Sequence, residues 1–315
     1  LCAELDISRA AVSKHIKVLR QDGYRIEALP KKGYCFSGMT DKLIEREITD
    51  GLGTVVFGKA EIHIFDQTDS TNIQARQLAE QGSPHGSIVI AEDQTHGRGR
   101  KNRQWFSTPQ TSVMMSLIIR PPLPPENAPR ITLTAAVAAA RALVRTTHLP
   151  VRIKWPNDIL INGRKLAGIS TGMSTDMDAV NYVILGIGLN VSAKKTDFPP
   201  DIADIATSVF IESGQTVSRT EIIQAFLTEF ETCYDTLCSQ GFDPVLAEWK
   251  AFADMAGRKI SVDLSDRTVT GIVQDIDANG VLIIKDDKGT IHRILSGDVS
   301  LIDTPQGRSI ERNGS

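Results

Sequence analysis

The sequence predicts an α+β protein in three parts: an N-terminal winged helix-turn-helix, a central mixed α/β-sheet domain and a small C-terminal β-barrel. Three observations predict it. The first 38 residues read as helix, turn, helix and hairpin. Strand-like and helical runs then interleave irregularly to about residue 255, which favours a mixed sheet over a doubly wound one. From Gly257 onward five short strand-like runs follow one another with only turns between them. The 315 residues, 41% hydrophobic and 23% charged, fit an ordinary soluble globular chain. The expected limits are 1–38, 39–255 and 256–303, with a loose tail at 304–315.

In "LDISRAAVSKHIKVLRQDG", Ser8 can cap a helix whose apolar face is Ala11, Val12, His15, Ile16 and Leu19, and Gly23 stops it. "LCAEL" reads as the tail of a preceding helix, so the module is expected to be cut short at Leu1. "YRIEALPKKGYCFSG" reads as two strands around a Lys-Lys-Gly turn. That is the order of a winged helix-turn-helix. An ordinary helical hairpin with a solvated face would explain the helices but not the basic hairpin tip. Residues 1–35 hold seven Lys/Arg against four acids, a local +3 in a chain of net charge −3. A basic module on an acidic body expects an anionic partner. The DNA-contact candidates are Arg9, Ser13, Lys14 and Lys17 on the helix and Lys31 and Lys32 at the tip.

After a short helix near Asp41–Asp50, strand-like runs stand at "EIHIF", "SIVIAE", "SVMMSLII", "VRIKW", "KLAGIS" and "NYVILGIGLN". Helical patterns stand at about 71–82, 127–147, 219–239 and 243–254. The most apolar run, "ITLTAAVAAARALV", contains Arg141 and is too short to span a bilayer, so it predicts a buried helix. No signal peptide is recognisable. Cys2, Cys35, Cys233 and Cys238 form no CxxC pair and no disulfide framework. These features predict a cytoplasmic protein with no membrane partner and no fixed protein metal site.

The chemistry concentrates in "QTHGRGRKNRQWFS". Gly97 and Gly99 permit close approach of a ligand. Arg98, Arg100 and Arg103 present planar forks suited to phosphate or carboxylate. Such a loop is costly to order unless an anion holds it. It is not a Walker A loop, because no GK[ST] follows, and taken alone it reads equally well as a solvated turn. "DSTN" (69–72) opens a helix, where Ser70 or Thr71 could serve only as a cap. "KWPND" (154–158) has ordinary turn chemistry but adds a lysine and a tryptophan. In "GRKLAGIS", Lys165 enters an apolar strand and needs an anionic partner. "GIGLN" (186–190) lets a ligand lie against backbone.

In this order and spacing, DSTN, Q-x-x-GRGR-x-x-R-x-W, KWPND, RKLAGI and GxGxN resemble the motifs of biotin–protein ligases. With the winged helix, nearly the whole chain is similar to the bifunctional biotin ligases and biotin operon repressors of bacteria. The resemblance implies a ligase domain of the biotin/lipoate type and an SH3-like C-terminal barrel. It implies that the biotin carboxylate attacks the α-phosphate of ATP, giving biotinyl-5′-adenylate and pyrophosphate. A lysine of biotin carboxyl carrier protein, an acetyl-CoA carboxylase subunit, then displaces AMP. By the same resemblance Lys165, Arg98 and Arg100 are catalytic. Ser70, Thr71, Asn72, Gln94, Arg98, Gly99, Arg100, Lys165, Gly186 and Gly188 bind biotin. Arg98, Arg100, Arg103, Trp105, Lys154, Asp158 and Asn190 bind ATP or the adenylate, with Mg²⁺ on the phosphates. "ATS" (206–208) is similar to the family's adenylate-side loop. The adenylate-bound form is expected to dimerise on operator DNA. Two departures stand out: Asn102 replaces a usual glycine, and Ser170, Thr171 and Gly172 stand where an acid usually follows KLAGI. A biotin-sensing DNA-binding protein without ligase activity, and a lipoate ligase on a related fold, are the alternatives.

Overall fold

A computed structural model describes residues 2–302 apart from 22, 31, 40, 100–102, 177, 178 and 265. The expectations for Lys31, Arg100, Asn102 and the tail therefore lie outside the described residues.

The N-terminal module comprises α1 (Cys2–Leu5), α2 (Arg9–Gln21), β1 (Tyr24–Leu29) and β2 (Gly33–Met39). Ser8 Oγ accepts from the Ala11 amide at 3.2 Å, the predicted cap. Gly23 and Gly33 hold the positive φ values, 97° and 101°, that the helix stop and the hairpin turn require. The β1–β2 pairing is antiparallel and closes at Leu29↔Gly33. Val12 is buried, whereas Arg9, Ser13, Lys14 and Lys17 are exposed, as is Lys32 at the hairpin tip.

The central domain begins with α3 (Glu45–Thr49) and continues through β3 (Ile62–Phe65), α4 (Thr71–Glu80), β4 (Ile88–Ala91) and β5 (Ser112–Ile119). Next come α5 (Ala128–Thr147), β6 (Arg152–Lys154), β7 (Asp158–Ile161), β8 (Arg164–Asp176) and β9 (Ala179–Asn190). The domain closes with α6 (Val209–Ser213), α7 (Arg219–Gln240) and α8 (Asp243–Ala253). One seven-stranded sheet runs β3-β4-β5-β9-β8-β7-β6. Only the β3–β4 pair is parallel. All eight residues of β5 are buried, as its central position demands. The predicted apolar helix is α5. Its buried run Ala135–Ala140 lets backbones pack closely against the sheet and α7. Each fully buried Ile or Leu there contributes about 2 kcal/mol.

Two details differ from the sequence expectation. Residues 158–161 form a strand of their own, because Asn162 and Gly163, at φ 51° and 78°, turn β7 tightly into β8. The strands β8 and β9 also run well beyond their apolar stretches, since their outer halves pair with each other as a polar hairpin.

The five C-terminal runs form β10 (Lys259–Asp263), β11 (Thr268–Ile276), β12 (Leu282–Lys285), β13 (Ile291–Ile294) and β14 (Asp298–Leu301). They make an antiparallel sheet in the order β13-β12-β11-β10-β14. This sheet is docked on the central domain. Trp155 Nε1 donates to Gly280 O at 3.1 Å, Arg130 Nη2 donates to Asn279 Oδ1 at 2.9 Å, and Lys250 pairs with Asp275 at 2.6 Å. Among the described residues no helix is long and apolar enough to cross a membrane.

Candidate active site

The two faces of the seven-stranded sheet do different work. One carries the α5–α7 core. The other packs α4 through Ala75 and Ala79 against Val89, Ile118 and Ile184. Beside the start of α4, glycines and serines make up most of that second face. Register places Ser116, Gly186 and Ser170 in one row across β5, β9 and β8, and Met114, Gly188 and Gly168 in the next. A cavity of about 610 Å³ opens over these rows.

The glycines make room for two protein side chains. A Cβ on Gly186 would lie 2.3 Å from Asn72 Oδ1, and one on Gly188 would lie 2.5 Å from Trp105 Cε2. The Asn72 amide spans the first row, accepting from Ser116 Oγ at 2.8 Å and donating to Ser170 Oγ at 3.1 Å. The Trp105 indole lies over the second row. Gln94 Oε1 accepts from the Thr71 amide at 2.7 Å and from Thr71 Oγ1 at 3.2 Å. That bond does the capping that "DSTN" alone suggested for Ser70, whose side chain makes no cap bond. Just upstream, Asp69 is held below the usual carboxylate range, first by the Gln74 side-chain amide and then by the Ser70 amide and Thr68 hydroxyl. These bonds fix the entry to α4.

Cations gather at the mouth. Lys165 Nζ lies 2.7 Å from Asp158 Oδ1 and 5.9 Å from the Trp105 ring centre. Its side chain is 39% exposed. Arg98 is exposed on the glycine loop, which folds on itself through Gly99 N to Arg103 O at 2.7 Å and Trp105 N to Gly97 O at 2.9 Å. Arg103 Nη2 reaches Asp298 Oδ2 on β14 at 2.7 Å, so the C-terminal sheet forms part of the wall. Beyond Lys165 the wall turns apolar, with Phe198, Ile202, Ile205 and Ala206. Asn190 lines this end. Its Nδ2 donates to Thr207 O at 3.0 Å, and its buried Oδ1 has no hydrogen-bond partner among the described residues. An orphaned acceptor there fits a donor from a ligand. Among the described residues no three His, Cys, Asp or Glu side chains converge to hold a metal ion.

Thr71, Asn72, Gln94, Arg98, Gly99, Arg103, Trp105, Lys154, Asp158, Lys165, Gly186, Gly188 and Asn190 all line this single cavity. Ser70 is buried immediately behind the wall rather than in it. Sequence reasoning missed Ser116, Ser170, Asp298 and, of the apolar wall, Phe198, Ile202 and Ile205; Ala206 belongs to the "ATS" stretch read as the adenylate-side loop. Ser116 carried a readable signal, a serine inside an otherwise apolar strand.

Comparisons with known proteins place the chain in a family. The Biotin/lipoate A/B protein ligase family matches residues 64–190, the biotin protein ligase C terminal domain 256–302, and an HTH domain 1–35. The chain is 41% identical to the bifunctional ligase/repressor BirA of Bacillus subtilis (strain 168), over 94% of this chain and 91% of that relative. It is 28% identical to the protein of the same name from Escherichia coli (strain K12), over 94% and 90%. A structure of biotin protein ligase from Aquifex aeolicus in complex with biotin and ATP superposes with a TM-score of 0.67 at 26% identity. That match covers 78% of this chain and 99% of the other. The chain belongs to the biotin protein ligase family, in its bifunctional ligase/repressor branch.

Proposed function

We propose that the protein is an ATP-dependent biotin–protein ligase that also represses transcription when it carries the adenylate. One observation carries the ligase reading: a single cavity joins a hydrogen-bonding floor, a lysine at its waist and an apolar far wall. A cyclic urea has donors and an acceptor for the Asn72, Thr71 and Gln94 groups, and its aliphatic tail fits along Trp105. A dithiolane ring has no such groups, so the floor favours biotin over lipoate. The carboxylate then reaches Lys165. The adenine rests on Phe198, Ile202, Ile205 and Ala206, with Asn190 Oδ1 accepting from its amine.

Joining a carboxylate to a triphosphate is chiefly a problem of anion repulsion and positioning. Lys165 exchanges Asp158 for the biotin carboxylate and the α-phosphate. Arg98 and Arg100 cover the phosphates, Arg103 joins them from Asp298, and Lys154 adds charge at the mouth. Mg²⁺ bound together with the nucleotide would supply the remaining neutralisation. Attack by the carboxylate oxygen breaks the α–β phosphoanhydride and releases pyrophosphate. The lysine amine of biotin carboxyl carrier protein then attacks the acyl carbon, and AMP leaves.

The exposed Arg9, Ser13, Lys14, Lys17 and Lys32, with Lys31, form the operator-contacting surface, and phosphate contacts make that binding salt-dependent. Adenylate binding favours the dimer. The working limits are a DNA-binding domain at 1–38, a ligase domain at 39–255 and a C-terminal domain at 256–303. The C-terminal sheet curls into an SH3-like barrel. Only residues 295–297 join β13 to β14 at its opposite edges. Such a link spans about 14 Å, less than the roughly 19 Å across a flat five-stranded sheet. Four free thiols suit a reducing cytoplasm, where ATP and the carrier are found.

The test is to incubate the protein with biotin, ATP and a carrier domain, then weigh the carrier. A mass gain of one biotinyl group is expected, and an unmodified carrier with no pyrophosphate released rejects the ligase reading.

A further inference from the structure

Glu212 on α6 lies outside the cavity wall, and its contacts bracket Lys165. Its side chain is only 3% exposed, so the carboxylate has to be paired. Oε1 accepts from Arg164 Nη2 at 2.9 Å and from Thr207 Oγ1 at 2.6 Å, and Oε2 accepts from Asn162 Nδ2 at 2.8 Å. Asn162 and Arg164 form the turn into β8, immediately before Lys165. Thr207 follows the apolar wall. Between these two segments the Lys165 backbone is stitched on both sides. Its amide donates to Ile205 O at 2.7 Å, and its carbonyl accepts from the Thr207 amide at 2.8 Å. The helix itself does not require this carboxylate as its cap, because Ser208 Oγ accepts from Ile211 N at 3.1 Å.

We propose that Glu212 is a positioning residue for adenylation: it locks the β7–β8 turn to the apolar wall and so sets Lys165 and the nucleotide-side wall in one register. The proposal rests on reading the cavity as a ligase site. It separates the two ends of the cavity. The polar floor hangs on α4, β5, β9 and, on β8, on Ser170, six residues along the strand from the Arg164 that Glu212 holds, so biotin binding depends on Glu212 far less than the nucleotide end does. The nucleotide end hangs on residues 205–207, which Glu212 holds through Thr207.

The experiment uses the full chain, with pyrophosphate release measured against ATP and against biotin, together with thermal unfolding. Thr207→Val removes only the hydroxyl and leaves the Glu212–Arg164 pair intact, while Glu212→Gln removes the charge. Both are expected to raise KM for ATP about ten-fold while KM for biotin stays within about two-fold, and Thr207→Ser is expected to restore the unsubstituted value. Equal rises in both KM values would overturn the proposal. So would a lowered Tm with unchanged kinetics per folded molecule. If the unsubstituted chain itself releases no pyrophosphate, the ligase reading fails and takes this proposal with it. If that chain is active and Thr207→Val matches it, the positioning role alone fails.

Discussion

Two ion-pair clusters in the central domain show how the same charges serve different ends. Arg219 is wholly buried and has four of its five N–H donors engaged. It donates to Glu92 Oε2 at 2.7 Å, to Ser112 O at 3.2 Å, to Asp41 Oδ2 at 3.1 Å and to the Asp41 carbonyl. Glu92 Oε1 accepts in turn from the Leu43 amide at 2.6 Å. Lys165 instead has one carboxylate partner and open space beside it. A buried cation so engaged is committed to the fold. A half-exposed one at a cavity waist is free to change partners. Charge alone does not separate structure from chemistry; the number of donors already engaged does.

Substitutions should pull that contrast apart. Lys165→Ala is expected to lower biotin-dependent pyrophosphate release by about a thousand-fold or more, with stability changed by less than about 1 kcal/mol. Near-normal turnover would erase the distinction. Arg219→Met should do the reverse. It strands the buried Glu92 carboxylate and is expected to destabilise the fold by about 3–5 kcal/mol in a urea titration, with catalysis per folded molecule retained. Asp41→Asn should have the smallest effect, under about 1 kcal/mol near neutral pH. Burial outweighs the Arg219 guanidinium and raises the Asp41 carboxyl above its usual range. A raised value means that its charged form opposes folding at neutral pH. That penalty is relieved as pH falls through the raised value. Melting the two proteins in steps from pH 8 down to about pH 4 should therefore show the native chain gaining on Asp41→Asn as the pH falls. A gap constant with pH would contradict this sign.

Much of the site was legible because its parts are local. The GRGR loop, KWPND and RKLAGI each carry their chemistry within a few residues, and strand periodicity placed β3–β6 and the cores of β8 and β9. What was not legible depends on register and on distant segments. Nothing adjacent to Ser116 tells that it faces Gly186 across β9, or that Asp298, nearly two hundred residues beyond Arg103, meets it. The glycines of "GIGLN" were read as allowing close ligand approach. The fold adds that their missing side chains also seat Asn72 and Trp105. The polar hairpin ends of β8 and β9 escaped because their partners are each other rather than a core.

The two rows over β9 have one more consequence. Gly168, Gly186 and Gly188 present nothing but main chain to Asn72, Trp105 and Lys165 lying on them, and main chain pinned in the middle of a seven-stranded sheet has no rotamers to change. Any adjustment on binding is left to the side chains that lie over it, Trp105 among them. The sheet thus supplies a fixed plate, and fit is decided by what rests on it.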